Sequence, residues 1–426
     1  MSVPLWFFVL SILALAWQAF LLLMALFAPV MRYQLERFEA PPIDSEKFLK
    51  TLEALTDAQV NHHSKLKVFT NGEEFYKEEL QAIRGATRSI NLEAYIFQRG
   101  KLAQDFLAAL AERARAGVKV NLVLDGLGSF STSRSYCREL LSSGGKVQFY
   151  HPFSWRSVAS INNRTHRELL VVDGQCGFIG GAGIADHWLM DKKKHRRWRD
   201  TVIRVEGDIV SNLQATFAEN WLETSGEVIF GDEYFPQLQD AGNAKAMVIN
   251  SSPSAGGSTR ARILFQALVS AAQSKIRITT PYFLPDSSML NELVRAAQRG
   301  VQVEIIVPGR KSDHGLTRSS SRRLYGKLLR AGVRIYEYQP AMIHAKVLVI
   351  DGLWSLTGST NFDNRSFGLN DEVNLAACDR QLAAELTHDF LADVAASQEV
   401  TLQDWKKRSL LEKLHEALGW ALQRQQ

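Results

Sequence analysis

His344–Gly352 reads HAKVLVIDG, and Gly358–Asn361 follows it as GSTN. The β-branched run that ends in Asp-Gly predicts a strand closed by a turn. His344 and Lys346 are two residues apart, so their side chains point to the same face of that strand. The same spacing recurs between the serine and the asparagine of GSTN. The sequence therefore predicts an imidazole and an ammonium group side by side, with a hydroxyl and an amide within reach.

A second copy of this arrangement lies earlier in the chain, at His166–Gly174. Both copies follow the same order of strand, helical stretch, strand, helix with a Leu-Leu pair, glycine turn, and a strand that runs into a proline. The predicted strands are 89–97, 118–124 and 146–150 before the first copy, and 276–283, 301–307 and 333–338 before the second. Strands that alternate with helices predict βαβ units on a largely parallel sheet. The repeat therefore predicts an α/β fold of two tandem domains related by a pseudo-twofold axis.

The length of the chain agrees with two domains, because 426 residues exceed the size at which one hydrophobic core stops growing. With 46% apolar and 22% charged residues, most of the chain is expected to be globular. Glycine and proline interrupt the pattern between Glu227 and Met247, which places the domain boundary there. We expect a linker over 32–64, a first domain over 65–235, a second over 245–400, and an amphipathic helix over 401–426.

The amino-terminal residues 1–31 carry no charged side chain, and Leu5–Val30 is dominated by apolar residues. About 20 such residues cross a bilayer as a helix. A cleaved secretory signal is the alternative, but the basic start is missing, and the run exceeds the usual apolar core of about 7 to 15 residues. We therefore predict one uncleaved transmembrane helix. Lys and Arg follow the run and none precedes it, so the remaining chain is expected in the cytoplasm.

Other features bear on partners. A net charge of +5 and a pI near 9.0 suggest an anionic partner, without separating nucleic acid from anionic lipid. The three cysteines are widely spaced and form no CxxC pair, which gives no sign of a zinc site. Lys192–Arg199 is a basic run with a tryptophan, which we expect to contact anionic headgroups. Trp405–Leu422 has leucines at helical spacing, and such a helix can lie on a membrane or pack on a domain.

The polar residues of the second copy suit attack on a phosphodiester. His344 can act as nucleophile or proton donor, while Lys346 can neutralise a non-bridging oxygen. Ser359 and Asn361 can donate hydrogen bonds to the same phosphate. Glu372 is predicted to orient His344, because a carboxylate that accepts from one ring nitrogen raises the basicity of the other.

The first copy keeps part of this set. His166 and Asp173 occupy the positions of His344 and Asp351 in the second copy. Asp200 stands where Glu372 stands, so it is predicted to orient His166.

The rest of the first copy departs from the pattern, with Glu168 in the lysine position and Gly181 and Gly183 in place of the serine and asparagine. A carboxylate repels a phosphodiester. Three interpretations stay open: this copy is idle, Arg167 or Arg164 restores the charge, or Glu168 accepts hydrogen bonds from hydroxyls of an alcohol.

The string His-x-Lys-x4-Asp, followed by Gly-Ser-x-Asn in a chain that repeats itself, resembles the signature of the phospholipase D superfamily. The resemblance covers roughly residues 65–410, and an anchor followed by two such domains is similar to bacterial cardiolipin synthases. It implies a nucleophilic His166, an acidic His344, and no metal or other cofactor. The implied catalytic set is His166, His344, Lys346, Asp173, Asp351, Asp200 and Glu372, and the implied substrate-binding set is Ser359, Asn361, Glu168 and Arg167.

The resemblance implies a phosphatidyltransferase of the bacterial inner membrane. One histidine would attack phosphatidylglycerol, and the phosphatidyl group would pass to a second lipid or alcohol, giving cardiolipin and glycerol when the acceptor is phosphatidylglycerol. That mechanism requires both imidazoles within reach of one phosphate. The alternatives are a hydrolase or nuclease with the same histidines, and a non-catalytic lipid-binding homologue. The anchor and the basic run favour lipid, since a nuclease would show a continuous basic groove, and no nucleic-acid partner is expected.

Overall fold

The computed structural model describes residues 4–27, 39–152, 163–189, 197–252, 259–413 and 416. Two helices precede the repeat: α1 (Leu5–Phe27) and α2 (Glu46–Thr56). The first half contains β1 (Asn61–Thr70), α3 (Gly72–Gly85), β2 (Ser89–Ala94), α4 (Lys101–Arg115), β3 (Lys119–Asp125), α5 (Arg138–Ser142), β4 (Lys146–Tyr150), β5 (Leu169–Val172), β6 (Cys176–Gly180), α6 (Asp186–Leu189), β7 (Thr201–Glu206) and α7 (Ile209–Ser225).

The second half repeats that order with small additions. It contains β8 (Ala244–Ser251), α8 (Arg260–Ala271), β9 (Lys275–Thr279), β10 (Phe283–Leu284), α9 (Ser287–Gln298), β11 (Gln302–Pro308), α10 (Gly315–Arg330), β12 (Arg334–Tyr338), β13 (Val347–Ile350), β14 (Trp354–Gly358), β15 (Phe362–Asp363), β16 (Glu372–Cys378), α11 (Arg380–Ala395), β17 (Ser397–Glu399) and α12 (Leu402–Lys406). No strand or helix lies between α7 and β8, the interval in which the sequence predicts the domain boundary.

The two halves share one sheet of 15 strands, whose order is mirrored about the β1–β8 pair. From that pair outward the order is β7, β6, β5, β2, β3, β4 on one side, and β16, β14, β13, β9, β11, β12, β17 on the other. β1 and β8 run antiparallel, with Asn61 opposite Ala246. Antiparallel pairing of equivalent strands is what a twofold axis between them requires. The chain is thus a mixed α/β protein of two similar domains.

The sheet is mixed, so the prediction of a largely parallel sheet is wrong. Among the described strands of this sheet, three in each half run parallel: β2, β3 and β4, and their equivalents β9, β11 and β12. The other strands of the sheet pair antiparallel, as in β5–β6 and β13–β14, while β10 and β15 form a separate two-stranded parallel sheet. The Asp-Gly turns explain the difference, because a three-residue connection joins antiparallel neighbours, while parallel strands need a long crossover.

Apolar side chains fill both faces of this sheet. Leu170 and Val172 of β5 belong to the core under α3 and α4 of the first half. Their neighbours Leu169 and Val171 belong to a different core, which also contains Val349 and Val373 of the second half. Because side chains alternate along a strand, these two cores lie on opposite faces of the sheet. The second core joins the halves into one packed body.

The ends of the chain differ from the sequence-based expectation. Among the described residues, no helix is both long and apolar enough to cross a membrane. The expected linker contains α2, whose Phe48 packs against Trp354 of the second half. α12 ends at Lys406 and packs through Trp405 on α10, so no single helix begins at Trp405. Most of the predicted helix beyond residue 413 and most of the basic run, residues 192–196, lie outside the described residues.

Candidate active site

His166 and His344 occupy equivalent positions, each shortly before a strand of the repeat. The N–H of His166 donates to the carbonyl of Asp371 at 2.8 Å, and the N–H of His344 donates to the carbonyl of Arg199 at 2.7 Å. Each of these bonds joins one half of the chain to the other. The segment that carries each histidine is therefore positioned by the opposite half.

Each imidazole is also held by a carboxylate of the opposite half. Nδ1 of His344 lies 2.9 Å from Oδ2 of Asp200, and Nδ1 of His166 lies 3.3 Å from Oε2 of Glu372. The predicted partners, Glu372 for His344 and Asp200 for His166, are therefore wrong. The cause is the twofold relation, which brings the start of β16 beside His166 and the residue before β7 beside His344. Because both Nδ1 atoms contact carboxylates, the Nε2 atoms are the ring nitrogens that can react with a substrate.

Asp200 is fixed by further donors. Its Oδ2 accepts from Nε1 of Trp188 at 3.0 Å, and its Oδ1 accepts from the N–H of Thr201 at 2.9 Å. Burial opposes ionisation, but the bond from His344 and the charge of Lys346 outweigh it and lower the pKa of the Asp200 carboxyl. Burial and the same lysine lower the pKa of His344. The pair is therefore a carboxylate beside a neutral imidazole.

Lys346 lies against the ring of His344 and reaches across the interface. Its Nζ is 2.8 Å from Nδ1 and 3.1 Å from Nε2 of His344, and it donates to the carbonyl of Gly181 at 3.3 Å. A Cβ atom on Gly181 would stand 2.8 Å from Cδ of Lys346 and 2.8 Å from Oδ1 of Asp200. The glycine in the serine position of the first copy therefore gives the lysine of the second copy its space.

Glu168 is enclosed beside this lysine. Its Oε1 accepts from the N–H of Ile96 at 3.1 Å, and burial raises the pKa of the carboxyl well above its usual range. A Cβ atom on Gly183 would stand 2.9 Å from the same Oε1. Glu168 thus fills space that an asparagine side chain at position 183 would need, and burial favours the neutral form of its carboxyl.

The serine and asparagine of GSTN have different surroundings. Oγ of Ser359 donates to Glu372 and accepts from the N–H of Val373 at 3.0 Å. The carbonyl of Ser359 lies 3.1 Å from Nδ1 of His166. Ser359 therefore supports the Glu372–His166 pair, whereas Asn361 faces the cavity described below.

Asp173 and Asp351 are not at the site. Both occupy the Asp-Gly turns, with left-handed φ values of 54° and 52°. Asp351 accepts at 2.7–2.9 Å from the N–H groups of Gln273, Ser274 and Lys275, and Asp173 accepts at 2.7–3.1 Å from those of Thr87, Arg88 and Ser89. Their prediction as catalytic residues is wrong, because they close hairpins at the far end of β5 and β13.

Arg167 also leaves the site. It is fully buried and donates to the carbonyl of Thr216 at 3.0 Å and to Glu219 at 2.7 Å. Successive side chains alternate in extended backbone, so Arg167 points away from the face that carries His166. Its predicted substrate contact is therefore wrong. Arg164, the other candidate cation, borders the cavity while bonding to the carbonyl of His151 at 2.9 Å.

One cavity of about 520 Å³ is lined by both His166 and His344. This central cavity has the size of a small-ligand site, about 300–1,000 Å³. Residues that the sequence reasoning missed complete its wall, namely Tyr95, Ile96, Leu127, Tyr282, Asp313, His314, Leu316, Thr317, Asp363, Arg365, Ser366 and Asn370.

Two of the missed residues could have been found from the repeat, because they follow equivalent strands in the two halves. Tyr95 follows β2 and Tyr282 follows β9, at the carboxyl ends of parallel strands, where α/β sheets place their ligands. The ring of Tyr95 lies 4.7 Å from that of His166, and the ring of Tyr282 lies 6.4 Å from that of His344. Among the described residues no group of three or more His, Cys, Asp or Glu side chains could hold a metal ion.

The comparisons with known proteins agree with this architecture. The family described as cardiolipin synthase, PLD-like domain, matches residues 80–221 and 265–394. A cardiolipin synthase of Staphylococcus aureus is 34% identical over 360 residues, which cover 84% of this chain and 72% of the relative. A cardiolipin synthase of Alkalihalophilus pseudofirmus is 34% identical over 361 residues, 84% of this chain and 71% of the relative.

A solved structure supports the fold. Phosphatidylserine synthase of Haemophilus influenzae superposes with a TM-score of 0.68 at 15% identity, covering 88% of this chain and 96% of that one. The family match falls on both halves and includes both histidines. The chain therefore belongs to the cardiolipin synthase family of phospholipase D-like phosphatidyltransferases.

Proposed function

We propose that this chain makes cardiolipin from two molecules of phosphatidylglycerol and releases glycerol. The observation that carries the proposal is the pair of crossed histidine–carboxylate contacts that face one cavity. Two imidazoles on one cavity can serve the two sides of a single phosphorus, one as nucleophile and one as acid. The names of the relatives support a phospholipid as substrate.

In the first step, Nε2 of His166 attacks the phosphorus of phosphatidylglycerol. A P–N bond forms, the P–O bond to the headgroup glycerol breaks, and Nε2–H of His344 gives its proton to the departing oxygen. Lys346 and Asn361 are the groups that compensate the charge of the non-bridging oxygens. His344 is neutral before substrate binds, and the arriving phosphodiester anion favours its protonated form.

The second step reverses these roles. Nε2 of His344 takes the proton of an acceptor hydroxyl, whose oxygen attacks phosphorus and displaces His166. The acceptor is a second phosphatidylglycerol, so the product carries two phosphates on one glycerol. The resting enzyme returns without a change in oxidation state.

We also propose that the cavity opens toward a membrane. Leu127 and Leu316 line the cavity and are 54% and 41% exposed, and Phe130 beside Leu127 is 79% exposed. Exposed apolar side chains at a cavity mouth are suited to acyl chains at a bilayer surface. The apolar helix α1, with exposed Leu5 and Trp6, would hold the chain there.

The test is a product analysis of the purified full-length chain with phosphatidylglycerol that carries ¹³C in its headgroup glycerol. We expect one free glycerol per cardiolipin by mass spectrometry, and no product from His166→Ala. His62→Ala, a change at an exposed histidine, is the matched control and should keep full activity. Phosphatidic acid without cardiolipin would identify a hydrolase instead, and no turnover of any phospholipid would refute the proposal.

The covalent step is checked separately. With an activated chromogenic donor, whose leaving group needs no proton, His344→Ala should slow the second step, in which His344 takes the acceptor's proton, more than the first. Quenched reactions should then carry a phosphatidyl group on the peptide that contains His166. Finding the group on His344 in a His166 variant, and never on His166, would reverse the two roles.

A further inference from the structure

Three polar side chains at the His344 end of the central cavity have no part in the mechanism above. Oη of Tyr282 donates to Oδ2 of Asp313 at 2.6 Å. Nε2 of His314 lies 3.7 Å from the same oxygen. All three line the cavity, although they come from two separate segments, the one after β9 and the one before α10. We call Tyr282, Asp313 and His314 the Asp313 cluster.

Charged groups of both signs line the cavity. Arg164 and Arg365 line it with Tyr95, whose ring is 4.7 Å from His166, and Arg164 is paired with Asp125 at 3.4 Å. Asp313 lies at the other end, where its charge acts on His344. The carboxylate of Asp313 repels a phosphate placed against it. The Asp313 cluster is therefore not a site for a second phosphate.

A neutral group with hydroxyls suits the His344 end. A carboxylate accepts hydrogen bonds strongly and offers none, so its partner must be a donor. An ammonium is also a donor, but the loop that carries Asp313 exposes Arg310 and Lys311, and Lys346 lies beside His344. These cations oppose a further positive charge, whereas they do not oppose a hydroxyl.

We propose that the Asp313 cluster is a subsite for a vicinal diol, which binds the glycerol headgroup as it leaves and the glycerol of the acceptor as it attacks. This inference rests on the proposed function and names the alcohol that the site selects. One hydroxyl of the diol bonds to Asp313 and Tyr282, which directs the neighbouring oxygen to Nε2 of His344. The cluster thus selects a polyol over a simple alcohol without contacting phosphorus.

The test is a competition between acceptor alcohols. The full-length chain, in phosphatidylglycerol vesicles, receives ¹³C-glycerol and 1-propanol at equal concentration, and the two phosphatidyl products are measured together. Wild type should favour glycerol. Asp313→Asn should lower the ratio of glycerol to propanol product about 10-fold, the value of one hydrogen bond to a charged group, because the first step is common to both products and cancels in the ratio.

Two variants serve as controls. Tyr282→Phe should lower the same ratio by less, because Asp313 remains as acceptor. Asp105→Asn changes an exposed carboxylate of α4 that does not line the cavity and should leave the ratio unchanged. An unchanged ratio in Asp313→Asn, or equal loss of both products, would overturn the subsite. A loss of transfer to ethanolamine rather than to glycerol would overturn the choice of a polyol.

A binding measurement separates this inference from the proposed function. Glycerophosphoglycerol, the soluble deacylated form of phosphatidylglycerol, is titrated into wild type and Asp313→Asn without turnover. If no cardiolipin forms but Asp313→Asn binds this probe about 10-fold more weakly, the subsite stands and the proposed function fails. Equal binding by both proteins overturns the subsite, whatever the activity.

Discussion

Asp200→Asn tests the crossed pairing of histidines and carboxylates. The asparagine can accept either from the N–H of Thr201, as Asp200 Oδ1 does, or from Trp188 and His344, as Oδ2 does. Either orientation sets its NH₂ group against a donor. With the NH₂ group toward His344, the imidazole with hydrogen on Nδ1 loses its acceptor, and with the amide oxygen toward His344 it keeps only a neutral acceptor. A carboxylate-to-amide change beside a catalytic histidine costs about 10⁴-fold in kcat in serine proteases, and we expect a loss of about 10³- to 10⁴-fold here.

The same variant has a pH signature. In the wild type, the bond and charge of Asp200 raise the pKa of His344 against burial and Lys346, which lower it. Without the Asp200 carboxylate, burial and the charge of Lys346 lower the pKa of His344 further, so His344 holds its proton only at lower pH. Because the leaving alcohol needs that proton, the alkaline limb of the kcat profile should move to lower pH.

The assay is cardiolipin formation from labelled phosphatidylglycerol across the pH range, together with NMR titration of selectively labelled histidines. The control is Glu372→Gln, which should perturb the resonances of His166 and leave those of His344. The crossed pairing would be refuted if Asp200→Asn shifted the titration of His166 while His344 titrated as in wild type.

Four further changes have defined outcomes. Lys346→Ala should lower kcat about 10²- to 10³-fold, as for loss of one transition-state charge contact, while Lys50→Ala, at an exposed lysine of α2 that does not line the cavity, should leave cardiolipin formation unchanged. Gly181→Ser restores the serine found at this position in the second copy. Its Cβ would stand 2.8 Å from Cδ of Lys346, so turnover should fall. A gain in turnover would contradict the packing argument. Glu168→Gln should keep turnover within about threefold, because burial raises the pKa of Glu168 and favours its neutral form, and the amide can still accept from Ile96; a large loss in the vesicle assay would restore a direct role for the carboxylate. Asp351→Ala should lower the free energy of unfolding by about 2 kcal/mol in a denaturant titration through lost backbone bonds, with activity per folded molecule retained.

The sequence predicts the repeat, both histidines and the hairpin turns, because these depend on local spacing. It does not predict the crossed pairs. In a chain that contains the same pattern twice, Asp200 and Glu372 are equally compatible with a partner in their own half or in the other. Only the antiparallel β1–β8 pairing, a contact between the halves, decides between them.

Other differences have local causes. Asp173 and Asp351 share a motif with the histidines, but a strand of four residues separates each from the site. The position of Arg167 outside the site follows from the alternation of side chains along extended backbone and could have been predicted from the sequence. Tyr282 and Asp313 lie on loops without a fixed distance from the motif, so only the fold brings them to His344.

The crossed pairs also affect when the protein can become reactive during synthesis. A ribosome releases the first half while the second is unfinished, and domains generally fold in that order. The first half then contains His166 and Asp200, but each lacks its partner, Glu372 or His344. Glu372 is among the later residues of the second half to leave the ribosome, so the nascent chain does not hold both histidine–carboxylate pairs until nearly all of that half has been made. In the proposed mechanism both pairs are needed, so the growing chain cannot complete a transfer before that point.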